Sequence, residues 1–144
     1  MQARISKYTR PDALDYPVWL QTFDVNTLGP MRMAEALAEP LARSQRRLIV
    51  NMSSHMGSIA EIEAPGDYYH RSSKAALNAA MKGLSAALKP RGVGVLLLHP
   101  GWVQTRMGGP GATDSVAGMR LPVEKFTPAG SGRFFRHDGS EIPW

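Results

Sequence analysis

Cysteine is absent from the 144 residues. Its absence excludes a disulfide framework, a thiolate metal site and a cysteine nucleophile, and a cytoplasmic chain is the expectation it suits. Long apolar runs are absent too: stretches such as Val93–Leu98 fall far short of the roughly 20 residues a membrane helix needs, so no membrane association is expected. Met1–Arg10 has no apolar segment of the signal-peptide kind. Aromatics make up only 8% and do not interleave with a basic stripe. The surplus of 17 Lys and Arg over 12 Asp and Glu is scattered, with Arg46-Arg47 the one adjacent basic pair, so no nucleic-acid partner is expected. His55, His70, His99 and His137 show no ligand spacing, and no metal is expected.

What remains is an ordinary globular composition, 43% hydrophobic, in a length suited to one domain. Residues 1–14 carry no apolar period and read as an irregular start. Tyr16 to Ala42 reads as helix, with Pro17 suited to a first helical position. Trp19 and Phe23, then Pro30, Ala34, Leu37 and Leu41, follow helical spacing. Gly29-Pro30 predicts a kink or two helices end to end, and Pro40 the end of the second part. Arg47–Met52 is short, apolar and branched, as a buried strand is. A loop through Pro65-Gly66 leads to a helix over about Tyr69 to Leu88, with Leu77, Met81, Leu84 and Leu88 on one stripe. Six of the fourteen residues from Ala75 to Leu88 are alanine, which would let another helix approach closely; a homo-oligomer through this helix is expected. Val93–Leu98 and Gly132–His137 read as two more strands, separated by a Gly/Pro-rich flap over about 106–128 with a short helix from about Asp114. The alternation of helix and strand argues a parallel α/β sheet with crossover helices.

Parallel sheets bind ligands beyond the carboxyl ends of their strands. Ser54 follows the first strand, and Pro100-Gly101 with Thr105 follow the second. The long helix starts near the same edge with His70 and Lys74 four apart, on one face. A hydroxyl, an imidazole and an ammonium thus converge on one crevice. Each alone reads equally as a turn residue, a helix-start residue or a surface lysine.

Taken in order, Asp24-Val-Asn-Thr-Leu-Gly29, Leu48-Ile-Val-Asn-Met-Ser-Ser-His-Met-Gly57, Ser73-Lys74-Ala-Ala-Leu-Asn78 and His99-Pro-Gly-Trp-Val-Gln-Thr105 resemble the short-chain dehydrogenases/reductases. The tail Asp138–Trp144 is similar to the C-factor-like or carbonyl-reductase-like branch. The resemblance implies a Rossmann-like doubly wound sheet, of which residues 1–144 would form the C-terminal part as a single partial domain of about three strands. It implies hydride transfer between NAD or NADP and a small carbonyl or alcohol substrate. By the same resemblance Asn26 would hold a proton-relay water, Ser54 would bond the substrate oxygen, and Lys74 would bind the nicotinamide ribose and tune the catalytic acid. Gly101, Val103 and Thr105 would lie along the nicotinamide.

Two departures shape the functional expectation. The tyrosine of the family's Tyr-x-x-x-Lys motif is His70 here, and each helical residue turns by about 100°, so Tyr69 points away from the Lys74 face. The Gly-rich dinucleotide fingerprint is also missing: the 14 glycines contain neither Gly-x-x-x-Gly-x-Gly nor Gly-x-Gly-x-x-Gly. The absent N-terminal half would amount to on the order of 100 residues, at about 30 per βαβ unit. The expectation is an oxidoreductase by ancestry, truncated and weakly active or inactive, with a non-enzymatic interaction or signalling module on the family's dimerisation helices as the alternative.

Overall fold

In the computed structural model, residues 11–103 and 116–144 are described, with the side chains of 116 and 117 left aside. Thr105, Gly108–Gly111 and the first part of the expected flap lie outside the described residues. The chain runs α1 (Tyr16–Phe23), a π-helical turn (Asp24–Leu28), α2 (Gly29–Arg43), β1 (Leu48–Met52), α3 (Tyr68–Leu88), β2 (Gly94–His99), α4 (Val116–Glu124) and β3 (Arg133–Arg136), with short 3-10 turns between. The strands form one sheet in the order β1-β2-β3, and both pairings are parallel. This is the α/β architecture that the alternation of elements predicts.

Gly29-Pro30 open α2 behind α1, so the segment is two helices end to end, with a π turn at Asp24–Leu28 joining them that the spacing does not predict. The helical backbone is continuous through this point, with the Gly29 N–H donating to the Asp24 carbonyl, and the π turn widens the coil just before Pro30, whose missing N–H and ring would strain a regular helix. Pro40 does not end α2, which continues to Arg43; what it forgoes is the single hydrogen bond to the Ala36 carbonyl in the turn before it. At the other end Asp15 caps α1 by accepting from the Val18 N–H at 3.0 Å.

The core sits between the sheet and α3. Leu77, Met81 and Leu88 from α3 pack on Val95 and Leu97 from β2, Phe134 from β3 and Ile142 from the tail, all buried. Leu84, on the same stripe, is partly buried against them. The other face of β2, Leu96 and Leu98, is buried as well. There Phe126, just after α4, lies against Gly94, leaving no room for a β-carbon. Burial on both faces explains why β2 reads as an unbroken apolar run.

The sheet's two edges differ. The tail folds back on β3: Ile142 donates its N–H to the Phe134 carbonyl, and Arg136 to that of Ser140. On the outer side of β1 no strand is paired among the described residues, and Val50 and Met52 are exposed. Pro30, Met33, Leu37 and Leu41 of α2 line a groove of about 380 Å³ beside it.

Candidate active site

The carboxyl ends of the three strands line up along one edge, and the start of α3 comes down on it. Ser53 and Ser54 follow β1 directly. Ser53 is buried and donates to Asn78 Oδ1 at 2.6 Å, while Asn78 Nδ2 donates to the Gly57 carbonyl at 3.3 Å. Ser54 faces the other way and caps the turn His55–Gly57, its Oγ accepting from the Met56 N–H at 3.2 Å. Of the serine pair, the first therefore secures the loop and the second keeps its hydroxyl hydrogen for a ligand. Gly57 makes this possible: a β-carbon there would stand 2.9 Å from both the Lys74 carbonyl carbon and Asn78 Nδ2.

His70 and Lys74 lie one turn apart on α3. Lys74 Nζ donates to the Met52 carbonyl at 2.9 Å, which fixes the ammonium at the end of β1. Burial holds its pKa below the usual lysine value. His70 Nδ1 is buried with no hydrogen-bond partner among the described residues. Burial, reinforced by the positive charge of Lys74, then His55 and Arg71, pushes the His70 pKa down to about 4. Its ring is therefore neutral at pH 7.

The tyrosines beside it are committed elsewhere. Tyr69 stacks on Trp19 with ring centroids 5.0 Å apart, and its hydroxyl accepts from the Asp15 N–H. Trp19 Nε1 in turn donates to Ser72 Oγ at 2.8 Å. These contacts dock α1 on the face of α3 that carries Tyr69 and Ser72, away from Lys74, as the 100° step predicts.

Asn26 arrives through the π turn. The widened turn brings Asn26 Nδ2 to Ser73 Oγ at 3.0 Å and Thr27 Oγ1 to the Ser73 carbonyl at 2.8 Å. Asn26 thus touches the residue before Lys74, and π turns inside α-helices occur frequently at functional sites. Gly101 adopts φ +77° just beyond β2, a left-handed conformation that favours glycine. Val103, half-buried, follows it. The structure thus brings Asn26, Ser54, His70 and Lys74 to one end of the sheet, with Gly101 and Val103 following β2 at the same end.

Several residues of this edge are not singled out by sequence spacing. His55 Nδ1 lies 3.2 Å from Nε2 of His99, the last residue of β2, with the rings edge to face. Burial lowers the His55 pKa, opposed by Glu61 and assisted by Arg136 and Arg71. Arg136 ends β3 directly across from His99 and is paired with Glu61. Arg71, next to His70, carries buried Nε and Nη1 atoms with no partner among the described residues. These contacts span 44 to 75 positions in sequence, so no local motif could announce them.

A serine hydroxyl after one parallel strand, a lysine locked to that strand's end and an asparagine delivered by a helical bulge thus gather at one edge of the sheet. The chain belongs to the short chain dehydrogenase family, whose profile matches residues 4–115. It is 45% identical over 135 residues to the C-signal of Myxococcus xanthus, covering 91% of this chain and 81% of that protein. Among solved structures it is similar to the carbonyl reductase Sniffer of D. melanogaster, with a TM-score of 0.88 and 35% identity over 96% of this chain. It is also similar to the NADPH-bound carbonyl reductase from chicken fatty liver, with a TM-score of 0.85 and 26% identity over 97%. The chain spans 62% of the length of each of these reductases. Its three-stranded sheet is accordingly a partial Rossmann-like fold.

Whether the residues present suit a nicotinamide dinucleotide depends on which end is considered. Ser54 with its hydroxyl hydrogen free, Lys74 at the end of β1 and Gly101 in a left-handed turn after β2 offer polar groups and open backbone at one end. A diphosphate wants open backbone N–H groups at a Gly-rich strand-to-helix turn. Among the described residues no such turn exists. Gly57, after β1, is packed against α3, and α3 opens on Asp67, whose carboxylate would repel a phosphate. The described residues do not fit the diphosphate.

Proposed function

We propose that this chain carries the carbonyl-orienting half of a short-chain dehydrogenase site and, by itself, transfers hydride with NAD or NADP weakly or not at all. The observation that carries this reading is His70. It stands where the resemblance places the tyrosine, and it is buried, neutral and beside an ammonium. A neutral imidazole donates a hydrogen bond but is a poor acid, whereas reducing a carbonyl requires a proton on the oxygen. Ser54 would orient a small carbonyl or alcohol substrate and Lys74 would bias the local field. Asn26 would hold a relay water. A cytoplasmic setting belongs to the same reading.

The test uses the purified chain with NADH or NADPH at millimolar concentration and a panel of aldehydes and ketones. We expect little or no cofactor oxidation. His70→Tyr is expected to raise the rate about tenfold or more, the scale of a restored general acid. An unchanged rate would move the defect away from position 70. Cofactor titration followed by nicotinamide fluorescence checks the other half of the reading. A Kd below about 100 μM would stabilise the chain measurably at millimolar ligand and overturn the claim that it holds the dinucleotide poorly.

A second reading, an interaction or signalling module, is favoured by one observation. The chain spans 81% of C-signal but only 62% of the reductases. On that reading the family's helices serve self-association, and the exposed Tyr16, Leu20, Val25 and Met33 of the first helical segment would take part with the Ala-rich α3.

A further inference from the structure

The same edge of the sheet carries an excess of positive charge that proton relay does not require. Arg71 is close enough to His55 and His70 to oppose protonation of both. Lys74 sits one turn along α3, and Arg136 ends β3 next to His99. The carboxylate placed among these groups is Glu61, and it is taken by Arg136. Asp67, one turn before Arg71, makes no ion pair with it among the described residues; the contact between the two is the ordinary helical bond from the Arg71 backbone N–H to the Asp67 carbonyl. Among the described residues two buried guanidinium nitrogens of Arg71, Nε and Nη1, are without an acceptor, and so is the buried Nδ1 of the adjacent His70.

Buried polar groups in folded proteins are almost always hydrogen-bonded, and a guanidinium cannot escape by losing its proton. Folding it into such a position is costly unless an oxyanion completes it. We infer that Arg71 is the anchor of an oxyanion site in this crevice, and that the carbonyl compounds it accepts are those bearing a carboxylate or phosphate near the carbonyl. In naming a substrate class this rests on the carbonyl-orienting reading given above; the anion site itself does not. Ser54 would meet the carbonyl oxygen while Arg71 holds the anionic group. Arginine suits the task because its planar donor set matches carboxylate and phosphate geometry.

The test is direct binding to the whole chain, followed through the Nε–H resonance of Arg71 and by calorimetry. The probes are pyruvate, 2-oxoglutarate, inorganic phosphate, NADP and, as a neutral control, methyl pyruvate. We expect the 2-oxo acids to shift the Arg71 resonance and methyl pyruvate to leave it in place. Arg71→Met should weaken 2-oxo acid binding about tenfold or more, the scale of a lost charge-assisted hydrogen bond, and Arg71→Lys should recover part of it. Should Arg71→Met fail to fold, the wild-type resonance and Arg71→Lys still decide. Binding of NADP and phosphate without the 2-oxo acids would assign the site to a cofactor phosphate and overturn the substrate class. No shift with any anion, or equal affinity in Arg71→Met, would overturn the site. Turnover of neutral carbonyls without anion binding would sink this inference and leave the carbonyl-orienting reading standing. Anion binding without turnover would support the inference alone.

Discussion

A neutral imidazole at position 70 has a thermodynamic signature as well as a chemical one. Histidine in an unfolded chain titrates near 6.5, and His70 in the folded chain near 4. Between those values the unfolded state binds the extra proton, so stability is full above about pH 6.5 and falls as the pH drops towards 4. The loss assignable to this residue is at most about 3 kcal/mol. We expect His70→Asn to flatten that part of the curve in urea titrations from pH 7 to 4, with the carboxylates contributing equally to both proteins. A parallel loss in the two would show that His70 is not buried as described. The sequence already marks His70 as a departure from a Tyr-x-x-x-Lys pattern and places Tyr69 on the wrong spoke. It cannot show what holds Tyr69, because the partners, Trp19 and the Asp15 N–H, are about 50 positions away.

At the level of elements, the site depends on how closely the turn after β1 approaches α3. Gly57 sits where a β-carbon would press on α3 backbone, so Gly57→Ala must push the His55–Gly57 turn away from Lys74. Overpacking of this kind costs roughly 1–3 kcal/mol, and we expect a loss in that range by urea denaturation. Thr27→Val tests the π turn. It removes the hydrogen bond to the Ser73 carbonyl, is expected to cost about 1 kcal/mol, and should perturb Asn26. A silent Thr27→Val would mean that the bulge is held by α1 and α2 alone. The strands and the long helix are legible because apolar runs and a 3.6-residue stripe are local signals. The π turn is not: Gly29-Pro30 looks like the break, yet both residues suit a first helical turn. The irregularity falls instead where Asn26 and Thr27 gain polar partners on α3.

Among the described residues the sheet is asymmetric, closed by the tail beyond β3 and open beyond β1. An open edge beside an apolar groove favours self-association. We expect sedimentation at tens of micromolar to show dimers or larger species, and Val50→Lys to shift them towards monomer. A monomer for the unsubstituted chain would count against the association reading. The parallel direction of the strands follows from the alternation of elements, whereas their order does not, since crossovers of one hand allow several orders. The closing of the far edge was not legible, since Glu141, Ile142 and Trp144 show no strand pattern.

The open edge also sets how fast the backbone trades protons with water. Ser53 donates to Leu98, and Gly94 donates to Arg47. In a parallel ladder the donors alternate, so the amides of Leu48, Val50 and Met52 point away from β2. Those three hydrogens should be replaced by deuterium quickly, whereas the amides of β2, flanked on both sides and buried on both faces, should hold theirs longest. A partner chain seated along β1 would therefore announce itself as slowed exchange at Leu48, Val50 and Met52, before any activity is measured.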